Sequence, residues 1–308
     1  MSMSGLPRDA AQARPARLSV GVIGAGRVGA VLGAALSRAG HRVVAVSAVS
    51  EASQARARAL LPGVPVREPS AVAMAADLLL LAVPDDVLPG LVDGLVATEA
   101  VRRGQLIAHP SGRHGVDVLR AASRIGALPL ALHPAMTFSG TADDLRRLPG
   151  ASFGVTAPDA LRPVAEALVL EMGGEPVWIP EERRALYHAG LATGSNHLVT
   201  LVGQASDLLR AAGVENPAAM LGPLLVAALD GALRVGDAAL TGPVARGDAG
   251  TVAAHLEHIG AESAASHAAY LAMARLTADR ALAARVLDPS DAEALLDVLA
   301  RRSEEAPA

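Results

Sequence analysis

Apolar and polar positions along the chain follow two rhythms. Between Leu18 and Ile179, short apolar runs alternate with stretches whose apolar positions recur every three or four residues. The runs Leu18 to Ile23, His41 to Ala48, Val64 to Arg67, Leu78 to Val83, Gln105 to Ala108, Ala127 to Leu132, Ala151 to Thr156 and Glu175 to Ile179 are strand candidates. The periodic stretches between most of them are helix candidates. Leu78 to Val83 is apolar without interruption, as in a strand covered on both faces. Such alternation predicts an α/β fold with a doubly wound, mostly parallel sheet. From Glu181 onward only the helical rhythm remains, over Glu181 to Ala212, Pro217 to Val235, Thr251 to Ile259, Ala261 to Arg285 and Asp291 to Arg302. A second, all-α domain is therefore expected. The expected organisation is a loose tail over 1–17, an α/β domain over 18–180, a helical domain over 181–302 and a loose end over 303–308. Glu181 to Ala212 is apolar nearly all round from Leu186 to Leu209, which predicts a buried helix. The longest uncharged apolar tract, Pro217 to Leu229, is too short to span a bilayer and contains Pro223.

The first strand candidate runs into Gly24-Ala25-Gly26-Arg27-Val28-Gly29 and then into a helical stretch ending at Ala39. Strand, glycine turn and helix in that order form the Rossmann dinucleotide-binding fingerprint. Gly24 admits the tight turn, Gly26 lets a pyrophosphate approach the backbone, and Gly29 lets helix meet strand. The helix N-terminus adds free N–H groups and a partial positive charge. A glycine turn kept for packing is the plainer alternative. At the end of the second strand an acidic residue marks a preference for NAD, because it grips the ribose 2′-hydroxyl. Here the residues are Ser47-Ala48-Val49-Ser50, with Ser53, Arg56 and Arg58 following and Glu51 close by. Hydroxyls and arginines favour NADP over NAD. Val83 and Pro84 close the fourth strand and are expected along the cofactor edge. Asp85 or Asp86 is expected to cap the next helix.

Two more strands end alike, in His109-Pro110-Ser111-Gly112 and in His133-Pro134-Ala135-Met136-Thr137. Ligands of open parallel sheets gather beyond the carboxyl ends of the strands, so His109, Ser111 and His133 are candidates for a cleft. A hydrogen-bonded structural histidine is the plainer reading of each. On the long helical stretch, Ser195 falls about 20° and Asn196 about 80° from His188, at about 100° per residue. The three form a polar row that needs a network or a ligand. The loop from Leu240 to Asp248 breaks the helical pattern and presents Arg246 and Asp248. It is either a surface turn or the best carboxylate anchor available, since a guanidinium binds a carboxylate with two hydrogen bonds. His255 and His258 lack a carboxylate to complete a ligand set, so no metal site is expected.

Composition narrows the chemistry. There is no Cys and no Lys, so all 27 basic residues are Arg. Thiol catalysis, thiolate metal sites and lysine acids or Schiff bases are excluded. A net charge of −4 and 2% aromatic residues argue against nucleic acid or an anionic membrane as partner. A soluble cytoplasmic protein acting on a small molecule is expected.

With these motifs in view, the chain resembles the Rossmann-like oxidoreductases that carry a C-terminal helical domain of unknown function, relatives of 6-phosphogluconate dehydrogenase. The matching stretches are Gly24-Ala-Gly-Arg-Val-Gly, His109-Pro-Ser-Gly, His133-Pro, Tyr187-His-Ala through Ser195-Asn196, and Leu240-Thr-Gly-Pro-Val-Ala-Arg-Gly-Asp with Thr251-Val and His255-Leu. The resemblance extends from about Leu18 to Arg280. It implies NADP bound by the first domain and a homodimer formed through the second. The chain is similar in particular to a second type of ketopantoate reductase, which implies hydride transfer from NADPH to a small 2-oxo acid. More distant relatives reduce imines such as pyrroline-5-carboxylate. Many hydroxyacid dehydrogenases of this superfamily place a helix Lys four residues before an Asn. Here Asn196 is present but Ala192 stands in the Lys position, so that mechanism is not implied. On this reading His188 or His133 donates a proton, Asn196 orients the carbonyl and Arg246 grips the carboxylate. Ser111, Thr193, Ser195 and Asp248 line the site. An imine reductase would lean on Ser111 or Thr193, and a nucleotide-binding scaffold without turnover is the alternative outside enzymes.

Overall fold

The computed structural model describes residues 17–300, so the expected loose ends, apart from Arg17, lie outside the described residues. The strands are β1 (Ser19–Ile23), β2 (Arg42–Ser47), β3 (Leu78–Leu81), β4 (Leu106–His109), β5 (Leu128–Pro134), β6 (Ser152–Thr156) and β7 (Glu175–Trp178). They form one sheet in the order β2-β1-β3-β4-β5-β6-β7. Neighbours are parallel except β5 and β6, which run antiparallel. The chain moves outward from β1 to β2, then crosses back to β3. That reversal opens a crevice beyond the carboxyl ends of β1 and β3.

The helices of this part are α1 (Arg27–Arg38), α2 (Glu51–Leu60), α3 (Pro69–Met74), α4 (Leu88–Ala97), α5 (Arg120–Arg124), α6 (Asp144–Arg147), α7 (Arg162–Glu171) and α8 (Arg184–Ala192). The four leucines of β3 show how the sheet is covered on both faces. Leu78 and Leu80 enter a core shared with α1 and α7, whereas Leu79 and Leu81 enter one shared with α3 and α4. A strand's period of two divides them so, and each fully buried leucine contributes roughly 2 kcal/mol.

Several expectations are corrected. Val64 to Arg67 is no strand. Only one bridge, Val46 to Val66, survives, because Pro65 has no N–H to donate and Val66 is half exposed. Neither Asp85 nor Asp86 caps α4. Its first flanking residue is Val87, without a side-chain cap. The contacts divide the chain after Gly194, not near residue 180, because α8 is anchored to the sheet through buried Arg184.

The second unit comprises α9 (Leu198–Ala211), α10 (Pro217–Val235), α11 (Ala249–Glu262), α12 (Ala264–Ala283) and α13 (Pro289–Ala300). Its core is formed by Val244, Ala245, Val252, Ala274, Ala278, Leu287 and Leu295, among others. The small residues of α12 let its neighbours approach closely. The buried helix expected over Glu181 to Ala212 is interrupted and largely exposed. A π-helical segment, Thr193–His197, separates α8 from α9, and Leu186 and Val199 are 67% and 73% accessible. Apolar composition alone does not say that the same chain covers the helix. Pro223 does not interrupt α10. With the turn that follows it, this helix spans 23 residues to Ala239, and an 18-residue window within it has mean hydropathy 1.5, so it is long and apolar enough by length and composition to cross a membrane.

Candidate functional site

At the crevice, Gly24 (φ +96°) turns the chain out of β1, and the N–H groups of Gly24 and Ala25 donate to the Ser47 carbonyl at 3.1 and 3.0 Å. Ser47 is buried and serves the turn through that carbonyl, where the sequence suggested a hydroxyl for the ribose. Ala25 is fully buried beneath the turn, while Arg27 and Val28 open α1, whose N-terminus no side chain caps. The three glycines differ in what requires them. A Cβ at Gly24 would stand 2.4 Å from the Ala82 carbonyl oxygen, and one at Gly29 would stand 2.1 Å from the Gly24 carbonyl oxygen. A Cβ at Gly26 would meet nothing within 4 Å. Nothing among the described residues explains Gly26, and the space above it suits a group that approaches the backbone closely, as a pyrophosphate does. Val83 flanks the turn, its Cγ1 3.3 Å from the Cβ position of Gly24, and Pro84 beyond it is exposed.

Ser50 caps α2, its Oγ accepting the Ser53 N–H at 3.2 Å. The half-buried Arg56 side chain lies against Gly140, its Nε 2.8 Å from the Cβ position there. Among the described residues Arg56 has no acidic partner within ion-pair distance. A cation on α2 without an acidic partner fits a ribose 2′-phosphate better than a bare 2′-hydroxyl.

The second cluster lies beyond β4 and β5. His109 ends β4 and is fully buried. Its Nδ1 accepts the Ser111 N–H at 3.2 Å, and its Nε2 lies 2.8 Å from the Gly115 carbonyl and donates to it. Burial is the main cause pushing it down to about 4, so it stays neutral at pH 7. Both nitrogens are committed, and the expected cofactor contact is corrected to a structural one. Ser111 is also buried, with its Oγ accepting the His114 N–H at 3.1 Å.

His133, near the end of β5, is more open. Its Nδ1 lies 2.8 Å from the Tyr187 hydroxyl, and its ring meets the His188 ring edge to face at 5.9 Å between centroids. Gly112 makes room for both histidines. A Cβ there would lie 2.4 Å from His188 Cδ2 and 3.0 Å from His133 Nε2. Burial, then the Arg184 and His188 charges, push His133 down to about 4. The structure thus brings Ser111, Gly112, His133 and His188 together within the first unit.

Sequence reasoning missed Arg184 and gave Tyr187 no role. Arg184 is 1% accessible and donates from Nε to the His114 carbonyl at 2.9 Å, from Nη1 to Gly154 at 3.0 Å and from Nη2 to Ser111 at 2.9 Å. Its guanidinium carbon lies 5.6 Å from the centre of the Tyr187 ring. Glu181 accepts the N–H groups of Val116 and Asp117 at 2.7 and 3.1 Å, fixing the far end of the same loop. In Glu181-Glu182-Arg183-Arg184 no signal separates the buried arginine from its exposed neighbour.

The remaining candidates behave differently. Thr193 bonds back to the Ala189 carbonyl at 2.9 Å. Because Thr193–His197 is π-helical, the angular row from His188 to Ser195 and Asn196 does not hold at α-helical spacing. In the second unit Asn196 and Arg246 are exposed, with no side-chain hydrogen bond among the described residues. Asp248 is a helix cap, its Oδ1 accepting the Thr251 N–H at 3.0 Å and its Oδ2 the Thr251 hydroxyl at 2.7 Å. Those bonds hold its carboxyl below the usual range, which corrects the substrate-binding expectation. No group of residues able to hold a metal occurs among the described residues.

Residues 3–134 match the model of the Rossmann-like domain, and residues 151–277 match that of a domain of unknown function, DUF2520. The chain belongs to the Rossmann-like proteins that carry a DUF2520 domain. No curated protein sequence matches it. Among solved structures, this DUF2520 chain is similar to the Bacteroides fragilis protein named "putative NADP oxidoreductase BF3122", with 22% identity, 85% of this chain and 98% of that chain covered, and a TM-score of 0.71. It is also similar to protein TM1727 from Thermotoga maritima, at 18% identity, covering 86% and 99%, with a TM-score of 0.64. A Streptomyces aurantiacus imine reductase aligns at 20% identity, covering 87% and 99%, with a TM-score of 0.60. At these identities the likeness is one of fold.

Proposed function

We propose that this DUF2520 chain is an NADPH-dependent reductase of a small 2-oxo acid, with ketopantoate the first candidate substrate. The observation that carries the proposal is Gly26, a half-buried glycine whose Cβ position is open space among the described residues, at an uncapped helix N-terminus. The names of the B. fragilis and S. aurantiacus structures support a nicotinamide cofactor. Gly24, Gly26 and the first turn of α1 would hold the pyrophosphate, with Ser50 and Arg56 at the ribose 2′-phosphate. Bound there, the reduced nicotinamide would supply a hydride to the substrate carbonyl.

The residues of the chain then have separable tasks. A carbonyl that accepts hydride develops negative charge on oxygen and needs a hydrogen-bond donor within reach. His133 and His188 are the donors in this proposal, which is supported by their lying side by side across Gly112. Arg184 and Glu181 hold the loop that carries Gly112. For the second unit, Asn196 as carbonyl orienter and Arg246 as carboxylate anchor are part of the proposal, each presenting an exposed side chain. A homodimer formed through the helical domain belongs to it as well, supported by exposed Val199, Leu224, Val226 and Leu233. So does a cytoplasmic site of action without nucleic-acid or membrane partners, for which the near-neutral charge speaks.

Imine reduction is the second reading, favoured by the S. aurantiacus likeness. A screen of NADPH oxidation across 2-oxo acids and cyclic imines tests both. Turnover confined to 2-oxo acids supports the first reading, and turnover confined to imines supports the second. Saturable NADPH binding without oxidation by any compound would leave a nucleotide-binding scaffold.

A further inference from the structure

We propose that Tyr187 is a positioning residue that fixes His133 in one tautomer, with its proton on Nε2, so that His133 meets the substrate as an uncharged hydrogen-bond donor. The identity of the substrate rests on the reductase reading; the tautomer rests on geometry alone.

A single proton lies between the Tyr187 oxygen and His133 Nδ1, which are 2.8 Å apart. The phenol O–H is the stronger acid of the two and the imidazole nitrogen the stronger base, so the hydroxyl directs its proton to Nδ1. Tyr187 reaches His133 over Gly154, which stands opposite His133 on the strand paired with β5. A neutral imidazole carries one proton, so it sits on Nε2. Gly154 must be glycine for this, since a Cβ would stand 2.4 Å from the hydroxyl.

Among the described residues Nε2 has no partner. No buried side-chain nitrogen or oxygen among the described residues lacks a partner, so Nε2 is reached by solvent. It opens beside Gly112, next to the His188 ring. Three groups act on the His133 charge. Arg184 and His188, both on α8, oppose a second proton, and Asp85, after β3, favours one. Three carbonyls fix Arg184, so its charge cannot swing away. A neutral N–H held at a developing oxyanion stabilises charge without giving up its proton. That leaves His188 as the histidine of the pair free to deliver one.

The test is imidazole 15N–1H correlation NMR at pH 7 on the full chain, with His133→Gln assigning the signals. The wild type is expected to show His133 protonated on Nε2 and bare at Nδ1. Tyr187→Phe should convert it to two exchanging tautomers while amide spectra stay native-like. Wild-type His133 protonated on Nδ1, or on both nitrogens, would overturn the proposal, and that spectrum decides the matter even if the variant does not fold. An unchanged His133 signal in a folded Tyr187→Phe would overturn it too. With an active substrate, Tyr187→Phe should lower kcat about 10-fold and leave KM within about 2-fold. An unchanged kcat overturns the catalytic half. The spectra require no substrate, so absence of turnover with every compound refutes the reductase reading and leaves the tautomer standing.

Discussion

Replacing Gly24, Gly26 and Gly29 by alanine, one at a time, separates packing from cofactor binding. At Gly29 the added Cβ would lie 2.1 Å from a backbone oxygen of the same turn, a contact no rotamer change relieves. At Gly24 it would lie 2.4 Å from the Ala82 oxygen, and the φ of +96° would be strained for alanine besides. Overpacking costs about 1–3 kcal/mol, and the unfavourable φ adds roughly 1–2 at Gly24. At about 2–4 °C per kcal/mol, both variants should melt several degrees lower. Gly26 has φ −70°, which alanine adopts freely, and its Cβ would touch nothing. The loss there is about 1 kcal/mol or less, since alanine is a poorer N-cap than glycine. NADPH, however, must approach that same space. Gly26→Ala is expected to weaken NADPH binding at least 10-fold, about 1.4 kcal/mol, with melting nearly unchanged. The assays are thermal unfolding of the free protein and titration of NADPH fluorescence. Wild-type affinity in Gly26→Ala would refute the assignment of the open space to the cofactor.

Other outcomes follow from the same geometry. His109 and His133 sit at about 4 in the fold against 6.5 in the unfolded chain, so between those values the unfolded chain binds more protons. Stability is full above about pH 6.5 and falls as pH drops toward 4, by up to about 3 kcal/mol for His109 and less for His133. Urea midpoints at pH 7 and 4.5 measure this, and a midpoint that does not fall on acidification contradicts it. Arg184→Met leaves three carbonyls without their donor and should cost about 3 kcal/mol or more. A melting temperature within about 2 °C of wild type would dispose of the clamp. Asp248→Ala removes a helix cap and should lower the melting temperature slightly with NADPH affinity unchanged, which a paired melt and titration will show. Arg56→Ser is expected to weaken NADPH about 10-fold and leave NADH unaffected. Equal losses for both cofactors would remove Arg56 from the 2′-phosphate.

The sheet was legible because strand period and burial coincide. Leu78 to Leu81 reads as a two-faced strand and divides its leucines between two cores. Val64 to Arg67 misled because β-branched residues say nothing of the N–H that Pro65 lacks. The glycine turn was legible in its type, yet only coordinates distinguish Gly26 from the glycines required by packing. His109 and His133 share a His-Pro signature and diverge because the chain returns over His109 through Gly115, whereas His133 keeps one nitrogen in the open. Arg184 was illegible because the oxygens it meets lie 30 to 73 positions away in sequence. Side chains that act through distant backbone leave no local pattern.

That last contact bears on how the molecule comes into being. The strands of the first unit are complete by Trp178, and a chain emerging from the ribosome can pair all of them by then. The loop at Ser111 and His114, with the Gly154 carbonyl, still lacks the guanidinium that ties them together until residue 184 has emerged. A fragment cut where the two rhythms of the sequence change, near residue 180, would therefore carry the sheet and the glycine turn but an untied loop. Synthesis finishes the frame first and assembles the site only as the helix begins.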